Sequence, residues 1–253
     1  MPSDQLSANE KRRYQRQIML PEIGEEGQIQ LKNSRVLVIG VGGLGTPILQ
    51  YLSAGGVGYI GIVDNDQVNE SNLQRQILFG VKDLGKLKSI IAKERLSKLN
   101  PDVNFEIFNF RLAKNNILGM IRDHDLVFDA TDNFTTRYLI NDACVVEGKT
   151  WIYGAVYKYE GQLSVFNYKD GPTLRCLYPD PPEPGSYVEA EESGLLGVLP
   201  GMIGCYQAIE GIKIITGFGD VLSGKLMTVN IKTNNIQTYN IPVISRNKTL
   251  SSL

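Results

Sequence analysis

Three glycines decide most of what this chain can fold into. Gly40, Gly42 and Gly45 spell G-x-G-x-x-G directly after the run Arg35-Val-Leu-Val-Ile and before an apolar stretch that ends at Ala54. The run is short and rich in β-branched residues, as a fully buried parallel strand is. The stretch behind the glycines reads as a helix. A second strand, residues 59–63, ends in Asp64. One strand–helix–strand unit therefore fits into about thirty residues. Glycines at such a turn let the backbone bend tightly and come close to a phosphate, while the helix N-terminus supplies free N–H groups and partial positive charge. Asp64 is placed to accept hydrogen bonds from ribose hydroxyls. The competing reading is a glycine turn that merely packs. It leaves the strand, the helix and the downstream acid as coincidence.

The alternation continues on both sides. Residues 9–17 and 22–32 read as helices. After a long loop over 65–80 come a helix at 86–99, stopped by Asn100-Pro101, a strand at 104–108 and a short helix at 115–121. A strand at 125–129 and a helix at 134–146 follow. Strands alternating with helices predict a Rossmann-like, doubly wound, mostly parallel α/β sheet. Beyond Lys149 the pattern changes. Residues 151–156 and 162–167 read as neighbouring strands, and 201–216 as a helix. Strands at 225–231 and 235–241 form a hairpin closed at Thr233-Asn234. The sheet is thus extended by antiparallel strands in the C-terminal part. Five prolines between Asp170 and Gly185 mark a loop. The expected layout is a single domain over 1–253. It has N-terminal helices at 1–34, a nucleotide-binding half at 35–148, a second half at 149–243 and a tail at 244–253 that frays.

Composition excludes several classes. The chain has 26 Lys and Arg against 27 Asp and Glu, a formal net charge of -1, so nothing in the balance calls for nucleic acid or a membrane surface. No signal-peptide core and no apolar run of membrane-spanning length is present, which predicts a cytoplasmic location. Cys144, Cys176 and Cys205 are odd in number and form no C-x-x-C pair, so a disulfide framework is not expected. The glycine fingerprint alone would suit a nicotinamide enzyme. However, the single histidine, His124, sits in the polar turn Arg122-Asp-His-Asp125 and reads as a solvated turn residue. No Tyr-x-x-x-Lys pair occurs, so hydride transfer lacks its usual proton donor.

Two further segments narrow the ligand. The loop after Asp64 reads Asn65-Asp66-Gln-Val-Asn-Glu-Ser71-Asn72-Leu73-Gln74-Arg75-Gln76. It sets amide, hydroxyl and guanidinium groups beside the expected phosphate site, where Arg75 can make a two-pronged contact. Lys86 or Lys88, at the next helix start, can reach back to phosphates or serve as a surface charge. The fourth strand ends Asp129-Ala-Thr-Asp132-Asn133. Ligands of doubly wound sheets bind at such strand ends. Asp132 is a candidate magnesium ligand, or else Asp132 or Asn133 caps the following helix.

Taken together, Arg16-Gln17, Gly40-Val-Gly-Gly-Leu-Gly45, Asp64-Asn-Asp66, Ser71-Asn-Leu-Gln-Arg75-Gln76, Lys88 and Asp129-Ala-Thr-Asp132-Asn133 resemble the ThiF/MoeB/HesA family, bacterial relatives of the ubiquitin-activating enzymes. The resemblance runs from about Tyr14 to about Tyr239. It implies an ATP-dependent adenylyltransferase. The substrate would be the C-terminal Gly-Gly tail of a ubiquitin-like sulfur-carrier protein, of thiamine, molybdopterin or another pathway. By position, the Gly43 region and Asp64 would hold adenine and ribose, with Asp66 alongside. Asn72, Arg75 and Lys88 would hold the phosphates within the string Ser71-Asn72-Leu73-Gln74-Arg75. Asp132, next to Asn133, would bind magnesium. Arg16 would reach into the ATP site of a second subunit in a homodimer. The second half of the chain would hold the carrier, with a crossover loop at about 168–195.

The chain also departs from the pattern. Many members carry a structural zinc on two C-x-x-C pairs. Here Thr173-Leu-Arg-Cys176 lacks the first cysteine of one pair, and residues 245–253 contain none of the other, so no zinc is expected. The reactive cysteine that some members carry on the crossover loop would fall near Ala190. No cysteine lies between Leu177 and Gly204. The expectation is a protein that stops at the acyl adenylate and leaves sulfur transfer to a partner. A non-catalytic nucleotide-binding scaffold and an enzyme adenylating a peptide or small carboxylate are the alternatives.

Overall fold

A computed structural model describes residues 4–183, 194–250 and 253. The buried run of the first strand, β1 (Arg35–Ile39), leads through the glycine turn into α4 (Gly45–Gly55) and then β2 (Tyr59–Val63). Glycine is required at two of the turn positions. Gly40 has φ +98°, and a Cβ there would lie 2.6 Å from the Ala130 carbonyl oxygen; one on Gly45 would collide with the Gly40 carbonyl. The chain continues through α5 (Lys88–Leu99), β3 (Asn104–Phe108), α6 (Lys114–Arg122), β4 (Leu126–Asp129) and α7 (Phe134–Val146). The second half supplies β5 (Thr150–Tyr157), β6 (Glu160–Phe166), α8 (Leu174–Leu177), α9 (Val198–Thr216), β7 (Lys225–Asn230) and β8 (Asn235–Asn240).

The eight strands form one sheet in the order β3-β2-β1-β4-β5-β6-β7-β8. Pairing is parallel from β3 to β5 and antiparallel from β5 to β8. Strand order reverses between β1 and β4, and at such a switch point the loops part to leave a crevice at the strands' carboxyl ends. Apolar layers cover the sheet. One gathers residues of α4, α5 and α9, such as Ile48, Leu96 and Ile203, against Val36 and Phe128. The other gathers Ile117 of α6 and Ile140 of α7 against Leu37, Val127 and Trp151. Helix α9 is long and apolar enough to cross a membrane, but it packs on β5, β6, α3 (Gly24–Asn33) and α4, which accounts for its composition.

Three local expectations are corrected. The helix expected over 9–17 is two, α1 (Ala8–Arg13) and α2 (Gln15–Ile18). The break is at Tyr14, which buries its ring and accepts a hydrogen bond at its hydroxyl from Asn100 Nδ2 at 2.8 Å. The tail expected to fray is tied down at residues 244–248. It turns through Ser245–Lys248, Ile244 N–H donates to Cys176 Sγ (3.3 Å), Thr173 Oγ1 donates to the Asn247 carbonyl (3.3 Å), and Asn247 Nδ2 donates to the Arg175 carbonyl (2.8 Å). The Thr173 and Cys176 side chains thus anchor the tail.

His124 is not solvated. It is buried at the foot of β4 against the Tyr59 ring, in space left by Gly61 on β2. Its Nδ1 lies 2.6 Å from the Met120 carbonyl, which places the proton on Nδ1. Nε2 is buried with no partner among the described residues. Burial, helped by nearby Arg35 and opposed by the Met120 bond, Glu106 and Asp123, holds its pKa below the usual histidine range. The unfolded chain takes up this proton near the ordinary histidine pKa of about 6.5, whereas the folded chain resists it. Stability is therefore full above that pH and falls as pH drops below it, down to the lowered folded-state pKa. His124→Asn is expected to flatten this limb. Urea midpoints measured from about pH 7 to pH 5 check it, and parallel curves for the two proteins would overturn it.

Candidate active site

A cleft of about 1300 Å³ opens along the switch point. One wall is the glycine turn, with Gly42, Gly43 and Leu44. The loop residues Ser71, Asn72, Gln74, Arg75 and Gln76 stand next to it, and Ala130, Thr131 and Asp132 follow β4. The opposite wall comes from β5 and β6 and the segment after α8, with Tyr153, Tyr157, Gln162 and Tyr178. This exceeds the roughly 300–1,000 Å³ that holds one small molecule, leaving room for a nucleotide and a chain end together.

The loop wall is built by local bonds. Residues Glu70–Asn72 make one short turn in which the buried Asn72 side chain accepts the Asn69 N–H at 3.3 Å. The Arg75 and Gln76 N–H groups both donate to the Asn72 carbonyl (3.0 and 2.9 Å), and Arg75 Nη1 donates to the Ser71 carbonyl at 2.9 Å. No carboxylate among the described residues pairs with Arg75, which lines the cleft. Leu73 turns the other way and packs on the core.

Asp64, Asp66 and Lys88 do not line the cleft. They form a connected set joined to the glycine turn. Asp64 accepts the Val41 N–H at 2.7 Å and the Asp66 N–H at 2.8 Å, while Lys88 Nζ lies 3.0 Å from Asp66 Oδ2. Burial raises the Asp64 pKa, and Lys88 and the two N–H bonds oppose the rise. The Lys88 amine is buried, whereas Asp66 is largely exposed. Gly40 and Gly45 shape the turn from behind. Arg16 lies exposed on α2, outside the cleft.

At the end of β4 the cap and the ligand candidate separate. Asn133 Oδ1 accepts the Thr136 N–H at 2.9 Å and caps α7, so Asn133 has a structural task. The Asp132 carboxylate is exposed to the cleft with no hydrogen bond or ion pair to any described residue. One carboxylate exposed beside the glycine turn is the kind of donor magnesium takes, since that ion binds through one or two carboxylates plus substrate phosphates.

The sequence reading missed Arg137. It lies on the first turn of α7, is buried, and lines the cleft. Its Nε meets Asp129 Oδ2 at 2.9 Å, and its Nη2 donates to the carbonyls of Thr131 (2.9 Å) and Gly154 (3.2 Å). Also missed were the tyrosines of the far wall. Tyr153 hydroxyl donates to Gln162 Oε1 at 2.9 Å, and burial pushes its pKa up. None of the three cysteines lines the cleft, and burial raises the Cys144 and Cys205 thiols above their usual range. The position near Ala190 and part of the loop at 168–195 lie outside the described residues.

Comparison with known proteins adds to this geometry. The chain is 47% identical over 220 residues to the sulfur carrier protein adenylyltransferase of Thermus thermophilus, a match covering 85% of this chain and 81% of that one. It is 44% identical over 245 residues to the probable adenylyltransferase/sulfurtransferase MoeZ of Mycobacterium tuberculosis, covering 95% of this chain but 62% of the other. It is 46% identical over 222 residues to the SAMP-activating enzyme E1 of Haloferax volcanii, with 88% and 82% covered. Among solved structures, Escherichia coli MccB with MccA-N7isoASN superposes with a TM-score of 0.81 at 21% identity, over 94% of this chain and 73% of that one, and speaks to the fold alone. Residues 14–250 match the pattern of the ThiF family. Glycine turn, loop wall and strand-end acid all fall inside that match, and the chain belongs to the ThiF family.

Proposed function

We propose that the chain uses ATP to adenylate the C-terminal carboxylate of a ubiquitin-like sulfur-carrier protein. The observation that carries this is the shared cleft, in which a phosphate-type turn, with an arginine that no described carboxylate pairs, faces a tyrosine-lined wall. The relatives named as a sulfur carrier protein adenylyltransferase and a SAMP-activating enzyme support the choice of substrate.

The chemistry suits the residues. A terminal carboxylate has a pKa of about 3.5 and is ionised at neutral pH, so no general base is needed. One carboxylate oxygen attacks the α-phosphorus, the bond from that phosphorus to the bridging oxygen breaks, and pyrophosphate leaves with the electron pair. The barrier lies in holding two anions together, so positioning and cationic stabilisation do the work. Arg75 supplies charge at the cleft wall. Lys88 is buried and held by Asp66 outside the cleft lining, so it reaches a phosphate oxygen only by giving up Asp66 and turning toward the glycine turn. Asp132 would hold magnesium, which supplies charge neutralisation on the phosphates. Arg16, exposed beside the exposed Met19 and Leu20, is available to the ATP site of a second copy.

The test is carrier-dependent exchange of labelled pyrophosphate into ATP, run with each Gly-Gly-ending small protein of the host. Exchange is expected with one intact carrier and not with the same carrier lacking its last two glycines. Exchange driven equally well by short peptides or small carboxylates would replace the substrate. ATP binding without exchange under any condition would reduce the chain to a scaffold.

A further inference from the structure

We infer that Gln76 donates a hydrogen bond from its side-chain amide to a phosphate oxygen of the bound nucleotide, an assignment that rests on the adenylation reading. Gln76 is only 3% exposed, yet it lines the cleft. Its backbone is clamped on both sides. The N–H donates to Asn72 and the carbonyl accepts the Phe79 N–H at 3.0 Å. The main chain is thus held in place, while among the described residues neither polar atom of the side chain has a hydrogen-bond partner. Oε1 is fully buried and unpartnered. Nε2 lies toward the glycine turn, 3.9 Å from where a Cβ on Gly42 would be.

A buried amide without partners is rare, because burial removes water and nothing replaces it. The open direction is the cleft, at the place where the glycine turn offers its N–H groups to an anion. An N–H donor is the group that such a ligand can use. Asn72, Arg75 and Gln76 then present an amide, a guanidinium and an amide from one loop to one triphosphate.

The test compares ATP and adenosine binding by calorimetry, together with thermal unfolding of the ligand-free protein, for wild type, Gln76→Met and Gln76→Glu. Gln76→Met keeps the volume and removes both polar atoms. It is expected to bind ATP about tenfold more weakly, as loss of a hydrogen bond to a charged group does. Its adenosine affinity should hold, and its ligand-free unfolding midpoint should stay level or rise, since an unsatisfied buried group is gone. Gln76→Glu sets a carboxylate against the phosphates and should weaken ATP further still. A lowered unfolding midpoint with wild-type ATP affinity would make Gln76 a structural residue. Equal weakening of ATP and adenosine would move its contact to the nucleoside. Either result overturns the assignment while leaving adenylation intact. A wild-type protein that binds no ATP would instead sink the adenylation reading.

Discussion

Arg75→Ala is expected to slow carrier-dependent pyrophosphate exchange by tens-fold or more while leaving the unfolding midpoint near that of wild type. The rate loss corresponds to about 2–4 kcal/mol, the usual size for removing one preorganised charge from a developing anion. Arg75 holds no ion pair with a described residue, and among those residues its guanidinium has one hydrogen bond, to the Ser71 carbonyl. Removing it therefore strands no buried partner, and the fold has little to lose. The cleft loses a cation from its wall. The effect should fall mainly on the catalysed step, because charge on the reacting phosphates grows as the carboxylate closes in. Arg75→Lys should recover only part of the rate, since an ammonium cannot make the planar two-pronged contact. Wild-type exchange by Arg75→Ala would remove Arg75 from the mechanism.

The same loop shows what local sequence carries and what it does not. Strand, glycine turn and helix are legible because each follows from residues adjacent in the chain. Asp132 and Asn133 were legible as a pair but not as individuals. Which one caps α7 depends on where the helix starts, and the structure gives the cap to Asn133. His124 misled because its surroundings are not its neighbours. Four polar residues look like a turn, but Gly61 on another strand opens the space that buries the ring. The tail misled for the same reason. Residues 245–249 are polar, and contacts with the distant Thr173, Arg175 and Cys176 explain why the tail docks. Gln76 and Arg137 appear in sequence as ordinary polar residues of a loop and a helix. Their importance comes from burial, which periodicity does not report for single polar residues.

Arg137 carries the largest expected effect on stability. Asp129 is fully buried at the end of β4, with Oδ2 against Arg137 Nε and Oδ1 accepting the Thr131 N–H and hydroxyl at 2.9 and 2.6 Å. Arg137→Ala leaves that carboxylate with half its partners and no counter-charge. It also frees the carbonyls of Thr131 and Gly154. Breaking a buried pair from one side costs about 3–5 kcal/mol, a large share of the roughly 5–15 kcal/mol that holds a domain together. Urea unfolding should show the loss. Arg137→Lys should recover little, because one ammonium cannot reach three acceptors spread over β4, its loop and β5. Adding Asp129→Leu to Arg137→Ala should restore part of the stability, since the stranded charge, more than the missing attraction, is what destabilises. A cost below about 1 kcal/mol for Arg137→Ala would mean that water reaches Asp129 and the pair is not sealed. Thr131 is the residue before Asp132, so the pair also fixes the turn that presents the magnesium candidate. The double variant then separates the two roles. Stability recovers with the charge removed, but the Thr131 N–H and hydroxyl have lost their acceptor, and exchange activity should stay low in a protein that is folded.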